Sequence, residues 1–418
     1  RDLCALMQGR KRLIIYGKRA MAMKESRKVF IGGTGKSGIA AAKMILEMGG
    51  EALLYNSDEN TDAGNVLSSF KETDKVELVT GELRPVHLRG VHLAVLSPGI
   101  PLNADFINVL DRAKIPVIGE LELAYQASKG SLAAITGTNG KTTTTAIVGE
   151  IFKTFFDDVH VVGNIGNPFS TEALSTTDES ITVVEVSSFM LETINDFRPH
   201  VSAILNITPD HLDRHLSMSN YVRCKKAIAM NQTESDYIVL NYSDTILREF
   251  GESKELKPKV IWFSSKEEPK GDGLYLLEGD IFIKENDSVT KLINVRELNL
   301  LGTHNYENVM AAAAVGLKMG VPVDNIRKAL KAFKAVEHRI EFVRERCRVK
   351  YYNDSKGTNP DAAIQALNAM PGPTLLIAGG YDKHSEYDEW VKLFKGKVKK
   401  LVLIGQTRDK INECCKKY

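Results

Sequence analysis

At 418 residues the chain is too long for one ordinary domain, and about two or three are expected. It is 43% hydrophobic and 26% charged, as globular proteins are, and a net charge of +2 leaves no basic excess to argue for nucleic acid. No apolar run approaches the ~20 residues that a membrane helix needs, so no membrane partner is expected.

The chain opens with a basic stretch over 1–27 that includes Arg10, Lys11, Arg12, Lys18 and Arg19. Its apolar run at 13–16 is too short for a signal peptide, which predicts a poorly ordered leader. The five cysteines show no metal-ligand spacing and read as free thiols in a reducing cytoplasm. From residue 28 onward strand and helix signals alternate in three blocks, at 28–123, 124–335 and 336–418. That alternation predicts an α/β chain with parallel sheets and helices on their faces.

In the first block a strand at 29–31 runs into Gly32-Gly33-Thr34-Gly35-Lys36-Ser37-Gly38, followed by a helix at 39–48 and a strand at 52–55. Gly33, Gly35 and Gly38 fit the G-x-G-x-x-G turn that holds a dinucleotide. The acid expected at the end of the second strand is Asn56, so a nicotinamide and the diphosphate of another nucleotide both stay open. A further strand at 93–96 leads into Ser97-Pro98-Gly99-Ile100.

The second block starts with a strand at 132–136, then Gly137-Thr138-Asn139-Gly140-Lys141-Thr142-Thr143 and a helix. Strand, glycine turn, Lys-Thr and helix form the layout that cradles polyphosphate, through backbone N–H groups and the helix N-terminus. Lys141 is expected at the β- and γ-phosphates of ATP and the Thr142 hydroxyl on Mg²⁺. The loop departs from the common spacing, because Ile135 stands where its first glycine is expected. Glu185 ends an apolar strand at 182–186, a position from which a carboxylate faces the phosphates. Asp210-His211-Leu212-Asp213-Arg214-His215 follows a strand at 203–207, and a neutral imidazole there can bind a divalent metal. Lys225 and Lys226 follow on a helix expected from about Tyr221. The stretch 270–287 reads as hairpin turns, and 337–339 as a linker.

The third block has strands at 349–352, 374–378 and 401–404, each ending in a polar loop. The ligand crevice of a parallel sheet lies beyond such carboxyl ends.

Together the loop at 136–143, Glu185-Val186-Ser187-Ser188-Phe189, Asn206-Ile207-Thr208-Pro209-Asp210-His211 and Gly302-Thr303-His304-Asn305 resemble the Mur ligases, ATP-dependent amide ligases of peptidoglycan synthesis. The resemblance implies three domains: a Rossmann-like N-terminal domain for UDP, a central P-loop ATPase-like domain with a mostly parallel sheet, and a Rossmann-like C-terminal domain. The loop Asn353-Asp354-Ser355-Lys356-Gly357-Thr358-Asn359 is similar to the branch that adds D-glutamate to UDP-N-acetylmuramoyl-L-alanine through an acyl phosphate.

By the same resemblance Thr142 and Glu185 hold a first Mg²⁺ and His211 a second. Lys225, four residues after Tyr221, is carbamylated and also faces metal, with Lys226 as the alternative. Asn305, Arg339, Asp354 and Lys356 reach ATP. Gly33, Thr34, Gly35, Lys36, Ser37, Asn56, Ser97 and Asn164 contact the UDP-linked substrate, and Thr358 and Lys383 contact D-glutamate. A cytoplasmic monomer is implied, with the second and third blocks closing around 337–339. Family members continue beyond the equivalent of Thr407 with a strand and a Ser-Pro-Ala-Cys-Ala-Ser-type loop, so the C-terminal domain is expected to be truncated here. A sister ligase, a nicotinamide-dependent oxidoreductase and an ATP-binding but inactive chain are the alternatives.

Overall fold

A computed structural model describes residues 27–418 except Ile165, Ala335 and His384. Apart from Arg27, the basic leader lies outside the described residues. The first block is a five-stranded parallel sheet of β1 (Lys28–Gly32), β2 (Glu51–Asn56), β3 (Val76–Thr80), β4 (Val91–Leu96) and β5 (Val117–Gly119), in the order β3-β2-β1-β4-β5. Val29, Phe30 and Ile31 are buried, as continuous apolar strands of parallel sheets are when both faces are covered. The helix Lys36–Glu47 follows β1 so closely that a Cβ on Gly38 would lie 1.9 Å from the Gly33 carbonyl oxygen.

The central sheet has nine strands: β6 (Ser131–Thr136), β7 (Val159–Gly163), β8 (Ile181–Glu185), β9 (Val201–Ile204), β10 (Tyr237–Asn241), β11 (Lys259–Ser264), β12 (Gly273–Leu277), β13 (Asp280–Glu285) and β14 (Ser288–Asn294). Their order is β14-β13-β12-β11-β10-β9-β6-β8-β7. All pairs are parallel except β12–β13 and β13–β14. The hairpins sit where turns are expected over 270–287. Glu278-Gly279 and Asn286-Asp287 all have positive φ, the backbone of two-residue hairpin turns.

Because β6 lies between β8 and β9, the segments leaving those three strands meet at one place. Beneath them the helix Thr303–Lys318 is buried along Val309–Val315, and its small Ala311, Ala312, Ala313 and Ala314 let it pack closely against the helix Lys141–Lys153.

The third block departs from the expected single parallel sheet. Its strand β16 (Val349–Asn353) pairs antiparallel with β15 (Glu341–Arg346), while β17 (Thr374–Gly380) and β18 (Val398–Gly405) form a separate parallel pair. The β15–β16 turn is Cys347-Arg348, with φ of 51° and 61°. No Gly or Asn marks that turn, so the hairpin carries no sequence signal. Asn359 caps the helix Pro360–Ala369 by accepting the Ala362 N–H at 2.8 Å. No helix among the described residues is long and apolar enough to cross a membrane.

Candidate active site

β6 continues through Thr136, and Ile135 is buried opposite Glu185 and Ala203. The phosphate loop therefore begins at Gly137, and no glycine is needed at 135. Gly140 has φ 85°, and a Cβ there would lie 2.2 Å from Asn308 Oδ1. Thr138 is buried and ties the loop to its neighbours: its hydroxyl accepts the Thr208 N–H at 3.0 Å and sits 3.0 Å from the Tyr221 hydroxyl. Thr142 and Thr143 stand in the first turn of the helix Lys141–Lys153, Thr143 buried.

Two lysines share one carbonyl. Lys141 Nζ donates to Gly137 O at 3.0 Å and Thr138 O at 2.8 Å, and Lys225 Nζ donates to Gly137 O at 2.7 Å. Burial lowers the Lys141 ammonium below the usual lysine range, although Glu185 and Asp210 act against the fall. Lys225 is buried over the Tyr221 ring, and burial, with the Lys141 charge beside it, pushes its pKa far down. Lys226 instead stands half-buried over the Phe250 ring. The Lys225 helix spans Met218–Lys226, starting before the expected Tyr221 because Ser217 caps it by accepting the Asn220 N–H.

Glu185 is buried at the end of β8 and accepts from the exposed Asn164 side chain at 3.0 Å. His211 has a left-handed backbone, φ 52°, which turns the chain into the short helix Leu212–His215. Burial lowers its imidazole pKa, countered by Asp210, and the nearby Lys383 and Lys141 charges lower it further. His211 is therefore neutral near pH 7, the form that binds metal. Behind it Arg214 donates to Glu192 at 2.7 Å, to Ile100 O at 2.9 Å and to Gly99 O at 3.3 Å, joining the central block to the first. His215 is buried, 2.9 Å from Ser188 Oγ and 3.5 Å from Glu192, and burial with the Arg214 charge brings its pKa to about 4.

Beside the loop opens a cleft of about 350 Å³, lined by Asn139, Thr143, Phe263, Asn305, Arg339 and Asp354 among others. Asn305 donates to Leu301 O at 2.8 Å. Asp354 accepts the Ile340 N–H at 3.1 Å, and burial raises its pKa.

In the first block Asn56 donates to Thr34 Oγ1 at 2.9 Å. A Cβ on Gly33 would lie 2.7 Å from Ser97 Oγ, a buried hydroxyl with no partner among the described residues. Gly35 and Lys36 are exposed and Ser37 is half-buried, so the turn is open above its floor.

Three family models cover the chain: the Mur ligase MurD-like N-terminal domain over 27–119, the Mur ligase middle domain over 135–316, and the Mur ligase glutamate ligase domain over 338–416. The UDP-N-acetylmuramoylalanine–D-glutamate ligase of Lachnoclostridium phytofermentans is 49% identical over 391 residues, 94% of this chain and 86% of that protein. The chain belongs to the Mur ligase family. The enzyme of the same name from Lachnospira eligens is 49% identical over 396 residues, 94% of this chain and 87% of that one. In fold, this Mur ligase is similar to MurF from Acinetobacter baumannii, with a TM-score of 0.60 at 19% identity over 93% of this chain and 83% of that one. It is also similar to MurC from Thermotoga maritima, with a TM-score of 0.57 at 17% identity over 94% and 88%.

Around this Mur ligase's phosphate loop the structure gathers Lys141, Thr142, Glu185, Lys225 and, through its effect on His211, Lys383. Lys356 lies half-buried in the turn after β16, its N–H donating to His338 O at 3.2 Å, and Thr358 and Lys383 are exposed. The sequence reading assigned no role to Asn206, Asn359 or Asp361. Their partners lie 67 to 222 residues away, at separations no local pattern encodes. The only trace is that Asn206 and Asn359 fall inside motifs quoted for other reasons.

Proposed function

We propose that this chain, as an ATP-dependent Mur ligase, joins the amine of D-glutamate to the alanine carboxylate of UDP-N-acetylmuramoyl-L-alanine. Its domains span 28–123, 124–335 and 336–418, and it acts in the cytoplasm as a monomer. The alanine carboxylate takes the γ-phosphoryl group of ATP, giving an acyl phosphate and ADP. The D-glutamate amine then attacks the carbonyl, the tetrahedral adduct expels phosphate, and the amine proton leaves to solvent.

What carries the reading is the shared Gly137 carbonyl: one lysine at the phosphate loop and a second, buried, whose ammonium is destabilised beside it. A triphosphate in the loop draws Lys141 off the carbonyls of Gly137 and Thr138 and onto its β- and γ-oxygens. The neutral amine of Lys225 is the form that adds CO₂, and carbamylation converts it to an anion. Thr142, Glu185, His211 and the Lys225 carbamate present mostly hard oxygen donors, a set that fits two Mg²⁺ ions. Bound there, Mg²⁺ would neutralise charge on the phosphoryl group in transfer.

Asn305, Arg339, Asp354 and Lys356 line or adjoin the cleft for the nucleoside. Gly33, Thr34, Asn56 and Ser97 form the floor for the uridine diphosphate. Asn164, held on Glu185, faces the muramoyl-alanine arm, while Thr358 and Lys383 receive the carboxylates of D-glutamate.

Phosphate release and product mass, measured with UDP-N-acetylmuramoyl-L-alanine and either D-glutamate or L-lysine, test the proposal. Turnover with D-glutamate alone is expected; turnover with L-lysine alone overturns the substrate assignment.

A further inference from the structure

One residue of the phosphate loop, Asn139, is held from two blocks at the edge of the cleft, which Asp361 also lines. The Asn139 backbone belongs to the central block: its N–H donates to Asn206 Oδ1 at 2.8 Å and its carbonyl accepts from Asn206 Nδ2 at 3.1 Å. Its side chain belongs to the third block: Nδ2 donates to Asp361 Oδ2 at 2.7 Å, and Oδ1 accepts from Asn359 Nδ2 at 3.1 Å. Thr208, on the segment after β9, reaches the same Asp361 oxygen at 3.5 Å. Both ends of the Asn139 amide are thus engaged by a helix start 220 and 222 residues away.

The other side of the contact is equally committed. Asn359 uses its oxygen to cap the helix Pro360–Ala369 and its NH₂ to reach Asn139. Asp361 lies in the first turn, where the helix dipole favours a carboxylate. Asp354, Lys356 and Thr358 precede this pair by a few residues, so its seat on Asn139 fixes where they arrive. A bond of the carboxylate to an amide is stronger than a neutral one, and here it spans the two blocks.

We infer that Asp361 is a positioning residue: with Asn359 it grips the Asn139 side chain and sets the third block in register with the phosphate loop. The kinetic part of this inference rests on the ligase reading above, and the shape of the molecule tests it separately.

In Asp361→Ala the ligation kcat should fall ~10- to 100-fold, well beyond any loss of ATP affinity measured by calorimetry. Asp361→Asn keeps an oxygen that accepts from Asn139 Nδ2 and should stay within ~3-fold of wild type. Asn139→Ala combined with Asp361→Ala should cost no more than the worse single change, as contact partners do. Small-angle scattering should show a larger radius of gyration for Asp361→Ala than for wild type. Unchanged kcat and radius in Asp361→Ala overturn the inference, as does an Asn variant as impaired as the Ala one. ATP affinity falling in step with kcat also overturns it, placing Asp361 in the nucleotide site. If wild type ligates no D-glutamate yet Asp361→Ala expands, the substrate assignment fails and the grip stands.

Discussion

The chain builds one unit twice: apolar strand, glycine turn, helix. After β1 the turn at Gly33–Gly38 lies open, with Lys36 exposed, a side-chain bond from Asn56 to Thr34 and a buried Ser97 hydroxyl without a partner among the described residues. After β6 the turn at Gly137–Lys141 is enclosed by two other strand ends, meets the half-buried Lys141 and the buried Lys225 at one carbonyl and borders on displaced pKa values at Lys141, Lys225, His211 and His215. On the proposed reading the same backbone device serves two tasks. An open, solvated turn suits holding a diphosphate, whereas an enclosed turn with desolvated charge suits moving a phosphoryl group.

The sharpest way to break this contrast is Lys141→Ala, expected to lower kcat by about 10³-fold or more in a phosphate-release assay. Lys225→Ala should follow at ~10²-fold, and exhaustive removal of CO₂ should reversibly depress the wild type but leave that variant unmoved. A CO₂-insensitive wild type would count against carbamylation.

At the open turn the effects are structural. Gly38→Ala places a Cβ 1.9 Å from Gly33 O and should cost about 2–4 kcal/mol in denaturant unfolding, with loss of UDP binding. His215 gives the contrast a pH signature. Its folded pKa of about 4 lies below the 6.5 of the unfolded chain, so the unfolded state takes up the proton first. Its contribution is present above pH 6.5 and lost as the pH falls toward 4, about 1 kcal/mol near pH 5.5. A His215→Asn variant should show a flatter profile of melting temperature over that window. The smallest effect belongs to Asn56→Ala, which should raise KM for the UDP substrate ~5-fold with kcat unchanged; a matching loss of kcat would erase the division of labour.

Both turns were legible in the sequence because glycine, lysine and apolar runs fall at fixed spacings, and the carboxyl ends of β6, β8 and β9 were legible as motifs. The departures have physical causes. The hairpin at Cys347-Arg348 uses left-handed residues that sequence rules do not flag, so β15 went unseen and β16 was expected in a parallel sheet. The helix before Lys225 begins at a Ser217 cap that is ordinary in isolation. Arg214, Asn206, Asn359 and Asp361 act across the fold, and no residue's neighbours in sequence announce a partner on another sheet. Ile135, an apparent defect in the phosphate motif, proved to be a core residue of β6.

Arg214 has a bearing on how such chains can be recombined. Its guanidinium meets the first block through the carbonyls of Gly99 and Ile100, while Glu192 anchors it within the central block. Main-chain acceptors are indifferent to side-chain identity. A first block from a distant relative, carrying another nucleotide-sugar preference, could be spliced on at this joint if its loop offered two adjacent carbonyls in the same place.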